Sequence, residues 1–151
     1  MKEGAFFMIS TRGRYALRMM VDLAENQGDG FVALKDIAER QNISKKYLEQ
    51  IIPVLNRASL LQTSRGFGGG YRLAKSPGDY TVGEILTATE GTLAPVACLE
   101  GEVNTCQRRA ECDTLFVWEG LKKTVDSYLG SITIQDIIDK KNGSIGNDYS
   151  I

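Results

Sequence analysis

A chain of 151 residues, 42% hydrophobic and 25% charged, has an ordinary globular composition and is long enough for one modest core with a small second packing unit. No apolar stretch approaches a membrane span, and the short apolar run at 5–9 has neither the basic flank nor the cleavage site of a signal peptide; a cytoplasmic protein with no membrane partner is expected, in a compartment where structural disulfides are uncommon. The net charge of −1 hides a polarity. Residues 1–80 carry 12 Lys and Arg against 8 Asp and Glu, a net of +4, whereas residues 81–151 carry 6 against 11, a net of −5. A basic half can meet a polyanion while an acidic half faces away from it.

Ser10 or Thr11 is placed to cap a predicted helix over about 12–26, with Tyr15, Ala16, Met19, Met20, Leu23 and Ala24 on one apolar face. The glycine-rich stretch 27–30 ends it. A shorter helix over 34–40 turns Leu34, Ile37 and Ala38 inward, and Gln41, Asn42 and Ile43 form a tight turn. Ser44 then caps a third helix over about 45–58 that buries Leu48, Ile51, Ile52 and Leu55. Pro53 inside that helix requires either a kink or a backbone bond given up on the solvent side. Two short helices joined by a tight turn form a helix-turn-helix. Lys45, Lys46, Tyr47, Glu49 and Gln50 stand where a recognition helix presents groups to phosphates and base edges.

Residues 60–64 and 71–74 read as paired strands around the tip Arg65-Gly66-Phe67-Gly68-Gly69-Gly70. A phosphate-binding loop needs Lys-Ser/Thr and a helix after its glycines, and Tyr71 opens a strand instead. The tip is therefore a wing, with Arg65 the side chain expected at the minor groove and Tyr71 a hairpin or core residue. The fold class expected is mainly α with a small β-hairpin wing. Residues 1–80 form the DNA-binding domain, and 81–151 supply a linker helix, a cysteine loop, a long dimerisation helix and a last helix.

In the acidic half, Thr81 caps a helix through about Glu90, with Val82, Ile85, Leu86 and Ala88 apolar. The 92–105 stretch has no clean period. A long helix over about 110–128 follows, and its face of Leu115, Phe116, Trp118, Leu121, Val125 and Leu129 is too generous for one small chain to cover. A homodimer packed through Leu115, Trp118, Leu121 and Val125 is the expected solution. Thr133 caps a final helix with Ile134, Ile137 and Ile138 inward, and from Asn142 the chain turns polar and is expected to fray.

Cys98, Cys106 and Cys112 all fall within fifteen residues, spaced C-x7-C-x5-C. Clustering in a Gly/Pro-containing loop favours joint ligation of a thiophilic centre, an iron–sulfur cluster or zinc, over thiol-based redox sensing or inert packing. The chain has no histidine, so a fourth ligand comes from Glu100, Glu102, Glu111, Asp113, the other subunit or a small exogenous molecule. A thiol enzyme would want a positioned base or a C-x-x-C pair, and neither is present.

Four motifs sharpen this reading: residues 9–17 (Ile-Ser-Thr-Arg-Gly-Arg-Tyr-Ala-Leu), the Ile43-Ser44 turn followed by Tyr47-Leu48-Glu49-Gln50, the 65–71 wing, and Val82-Gly83-Glu84-Ile85. On these the chain resembles the IscR/CymR-type family of bacterial winged-helix repressors over about residues 8–141. That resemblance implies a regulator bound to double-stranded operator DNA through Lys46, Tyr47, Glu49 and Gln50 on the helix and Arg65 with Gly66 on the wing. It also implies dimerisation through the long helix, and a [2Fe–2S] or [4Fe–4S] cluster on Cys98, Cys106 and Cys112, one that the isolated protein can lack. Two family solutions for the fourth ligand are absent: Leu115 stands where the iron–sulfur regulator has histidine, and Arg14 where nitric-oxide-sensing relatives have aspartate. The alternative implied is a cluster-free repressor of cysteine or sulfur metabolism, controlled by thiol redox state or by a cysteine-synthase-like partner; its cysteine-metabolism relatives share the C-terminal isoleucine, here Ile151.

Overall fold

The computed structural model describes residues 9–148, with side chains through 143. Six helices and one hairpin follow in order: α1 (Thr11–Asn26), α2 (Leu34–Gln41), α3 (Lys45–Arg57), β1 (Leu61–Ser64), β2 (Gly70–Leu73), α4 (Val82–Glu90), α5 (Leu115–Gly130) and α6 (Ile134–Asp148), with single 3-10 turns at Pro77–Asp79 and Ala97–Leu99. The architecture is mainly α with a two-stranded antiparallel wing, as the sequence patterning requires.

The core forms where the apolar faces of α1, α2 and α3 converge. Met19, Met20, Leu23, Ile37, Leu48, Ile51 and Leu55 are all fully buried, each worth about 1.5–3 kcal/mol relative to exposure. Tyr80 joins the same core, as do Ile85 and Ile134 from beyond it. A smaller cluster of Val82, Leu86 and Leu93 packs against Val125 and Leu129 of α5. Side chains set the helix starts: Ser10, Ser44 and Thr81 accept hydrogen bonds from the amides of Gly13, Tyr47 and Glu84. Asn42 ends α2 in the left-handed region at φ 53°, which swings the chain into α3 and buries Ile43.

Pro53 does not interrupt α3, which runs unbroken from Lys45 to Arg57 with the proline on its exposed side. The wing register runs from Leu61 opposite Leu73 to Ser64 opposite Gly70. Val32 also pairs with Tyr71 through reciprocal bonds of 2.8 and 2.9 Å, giving the hairpin a one-residue third edge that lies outside the sequence pattern. A Cβ at Gly70 would overlap the Val32 carbonyl, so this close approach demands glycine. Tyr71 is half-buried against the core, in the hairpin role expected of it.

Two boundaries differ from the sequence reading. The long helix begins at Leu115, not near residue 110, because i→i+3 turns occupy 106–114; Arg109 N–H donates to the Cys106 carbonyl and Glu111 N–H to that of Arg108. Cys112 therefore precedes the helix. α6 continues to Asp148, past the Asn142 where fraying is expected, and Lys141 Nζ binds Glu25 of α1 at 2.9 Å. The C-terminal residues 149–151, including Ile151, lie outside the described residues.

Candidate functional site

The helix-turn-helix presents a polar N-terminal turn at α3. Lys45, Lys46, Glu49 and Gln50 are exposed, and the helix N-terminus adds its own partial positive charge to the two lysines. Tyr47 is half-buried. Its ring meets Tyr15 of α1 edge-on, with centroids 5.2 Å apart and planes at 71°, which holds the N-terminal turn of α3 against α1.

A polar network fixes how α2 enters the turn. Asp22 of α1, 2% exposed, accepts from Arg40 Nε at 3.0 Å, Arg40 Nη2 at 2.8 Å and Gln41 Nε2 at 2.9 Å. Arg18 donates in turn to the Gln41 side-chain oxygen at 3.1 Å and to the Gln41 carbonyl. The bidentate pair raises the Arg40 guanidinium above its ordinary value, chiefly through its hydrogen bonds to Asp22. Asp22 reads in the sequence as one more helix acid; only its position on the α1 face turned to α2 separates it from the exposed Glu25, a distinction a one-dimensional pattern blurs.

At the wing, Arg65 and Gly66 are exposed at the loop root. Arg72 of β2 lies over the Phe31 ring at 4.6 Å and donates to Gln62 across the hairpin at 2.7 Å, so this second arginine braces the wing.

The cysteines occupy the segment between α4 and α5. Cys98 lies on the 3-10 turn Ala97–Leu99 and is partly buried. Cys106, partly buried, and Cys112, exposed, line one open pocket of about 330 Å³ with Arg108, Glu111, Asp113 and Thr114. Cys98 does not line it. Asn104 donates nothing from its buried Nδ2, which has no partner among the described residues, while its Oδ1 accepts from the Cys106 amide at 2.9 Å. Convergence is what an iron–sulfur cluster needs, and among the described residues no three Cys, Asp or Glu side chains come together as a metal site. Of the expected triad, Cys106 and Cys112 line one pocket and Cys98 does not.

Helix α5 has no buried residue. Phe116 is 74% exposed, Leu121 38% and Trp118 36%, while Leu115 and Val125 are half-buried. Of the expected dimer residues, Trp118 and Leu121 are thus exposed in the single chain, while Val125 packs against the smaller cluster. Among the described residues, no helix is long and apolar enough to cross a membrane.

A helix-turn-helix with an exposed polar turn on α3 and a hairpin wing define a winged-helix fold of the DNA-binding type. The model of the Rrf2 family, iron-dependent transcriptional regulators, matches residues 9–140, and the chain belongs to that family. An HTH-type transcriptional regulator of Neisseria meningitidis is 44% identical over 139 residues, covering 92% of this chain and 93% of that one. Among solved structures, CymR, the global cysteine regulator of B. subtilis, superposes with a TM-score of 0.71 at 34% identity, covering 88% of this chain and 97% of its own. T. potens IscR superposes at 0.70 and 40% identity, covering 89% and 88%.

Proposed function

We propose that this regulator binds operator DNA as a homodimeric repressor and that the thiol state of its cysteine segment sets its affinity. Lys45, Lys46, Glu49 and Gln50, with Tyr47 at their edge, enter the major groove, and Arg65 with Gly66 contacts the minor groove. The dimer closes through Leu115, Trp118, Leu121 and Val125. The observation that carries the control is the shared pocket of the partly buried Cys106 and the exposed Cys112, with Arg108 in its lining, on the segment that joins the DNA-binding elements to α5.

A second reading keeps an iron–sulfur cluster on the three cysteines, favoured by the family's iron-dependent description. It requires the 92–114 segment to rearrange until Cys98 reaches the other two thiols. The cysteine-synthase-like partner rests on Ile151, outside the described residues.

Anaerobic purification, absorption spectroscopy and iron and sulfide analysis separate the two readings. Thiol control predicts a colourless protein whose operator affinity changes on treatment with peroxide and returns with dithiothreitol. Replacing Cys106 or Cys112 with Ser abolishes that response. Iron and sulfide in near-equal amounts, lost on Cys98→Ser, would replace thiol control with the cluster. Lys46→Ala weakens binding in either case and lowers the salt dependence by about one phosphate contact.

A further inference from the structure

Phe67 is the most exposed large apolar side chain among the described residues, at 111% relative exposure. Its position is built by the glycines around it. Gly69 N–H donates to the Gly66 carbonyl at 3.0 Å, closing a β-turn whose central residues are Phe67 and Gly68. Gly68 has φ +75°, the value a type II turn requires at that position, and Gly66 has φ +89°. A Cβ at Gly69 would overlap the Ser64 carbonyl, so the loop folds tightly back onto the end of β1. The turn is thus specified residue by residue, and it holds a phenyl ring at its apex, two residues from the exposed Arg65.

From this arrangement we infer that Phe67 is a wedge that enters the minor groove and partly unstacks a base step, while Arg65 is drawn to the groove's negative potential. The inference rests on the proposed wing–DNA contact and deepens it by assigning sequence preference to an apolar side chain. An apex ring carries no charge and neutralises no phosphate. What it offers DNA is a flat apolar surface, and proteins that bend duplexes through the minor groove insert such side chains between bases. The cost of unstacking is lowest at pyrimidine–purine steps, so Phe67 makes the protein prefer TA or CA beneath each wing without a hydrogen bond to either base. Gly66 and Gly68, with no side chains and open space around them, let both groove walls approach the ring.

The test uses the full-length protein and a duplex selected by it from a random-sequence pool, with 2-aminopurine placed at successive adenines. Binding of the wild type is expected to raise fluorescence at one step in each half-site, and Phe67→Ala to abolish that rise and weaken binding about tenfold. The slope of log affinity against log salt stays unchanged for Phe67→Ala and falls for Arg65→Ala, since only the arginine releases counterions. Phe67→Leu restores part of the signal. Selection repeated with Phe67→Ala loses the pyrimidine–purine preference beneath the wing. Since the ring touches nothing in the protein, thermal stability stays at the wild-type value. Unchanged affinity and fluorescence for Phe67→Ala, with Arg65→Ala impaired, overturn the wedge and leave the wing contact standing. Unchanged affinity for both overturns the wing contact and the wedge together, and a protein surface becomes the ring's partner.

Discussion

Tyr80 shows how one side chain closes several backbone accounts at once. Its hydroxyl donates to the Leu60 carbonyl at 2.7 Å and accepts from the amides of Ala74 and Lys75 at 2.8 and 2.9 Å, in a fully buried position. These groups lie where the chain leaves α3 and where it leaves β2, so the phenol pins both ends of the wing to the core. Tyr80→Phe keeps the ring and strands the Lys75 amide, while Ala74 N–H still donates to the Leu60 carbonyl at 3.3 Å; the expected loss is about 1–2 kcal/mol in urea unfolding. Burial pushes the phenol above its usual value, partly opposed by the two amides that donate to it. A raised folded-state value means a contribution that is complete below the unfolded value near 10 and is lost as pH rises through the folded one. The wild type therefore loses stability in that alkaline window, and the variant loses measurably less. Equal alkaline losses in the two proteins would mean that other groups, Lys75 among them, drive the transition.

At the scale of elements, α3 carries an internal conflict that its environment resolves. Pro53 removes the N–H that would bond the Glu49 carbonyl, on a side of the helix open to water, while Ile51, Ile52 and Leu55 are buried on the other face. Packing outweighs the proline penalty, and Pro53→Ala is expected to raise stability by about 1 kcal/mol or more, read as a shift in the urea midpoint at unchanged slope. A fall in stability would show that the proline shapes the helix in a way the bonded pattern does not reveal. The same element shows what was legible in advance. Its serine cap, its apolar spacing and its polar first turn are local, so they stand in the sequence, and proline left just two options open. The pairing of Val32 with Tyr71 and the binding of Arg40 by Asp22 join residues far apart in the chain, where no local pattern points to the partner. The start of α5 differs for a related reason: i→i+3 turns anchored at the Cys106, Arg108 and Cys112 carbonyls take the amides of Arg109, Glu111 and Leu115 before the helix begins. That shift matters for the site, because it leaves Cys112 on an irregular segment, in the pocket it shares with Cys106.

At the scale of the whole molecule, the proposed function requires the face of α5 and the cysteine segment both to connect to DNA binding. Leu121→Asp places a charge in the proposed dimer face; a monomer in sedimentation, with folded far-ultraviolet dichroism and operator affinity lost by orders of magnitude, is expected because two half-sites no longer add. A dimer that survives this change would move the interface off α5. The connection to the cysteine segment runs through Glu90, the last residue of α4. Its Oε1 accepts from the Ser10 amide at 3.1 Å and the Ser10 hydroxyl at 2.6 Å, and that hydroxyl caps α1 through the Gly13 amide at 3.0 Å. A Cβ at Gly13 would overlap Glu90, and Arg12 donates to the neighbouring Thr89 carbonyl at 3.1 Å, so α4 and the start of α1 are locked together. Gly91, at φ +81°, then opens the segment that carries the three cysteines. A rearrangement of that segment thus pulls first on a residue that anchors α1, and α1 holds the recognition helix through Tyr15 and Tyr47. Glu90→Gln keeps the shape but exchanges charge-assisted bonds for neutral ones, so stability should fall by about 1 kcal/mol. The operator affinity of the reduced protein should hardly change, while the ratio of affinities between reduced and peroxide-treated protein should move toward one, measured at matched salt. A lowered stability with that ratio intact would make the Glu90 contact purely structural and would place the coupling in the packing of α4 against α5 instead.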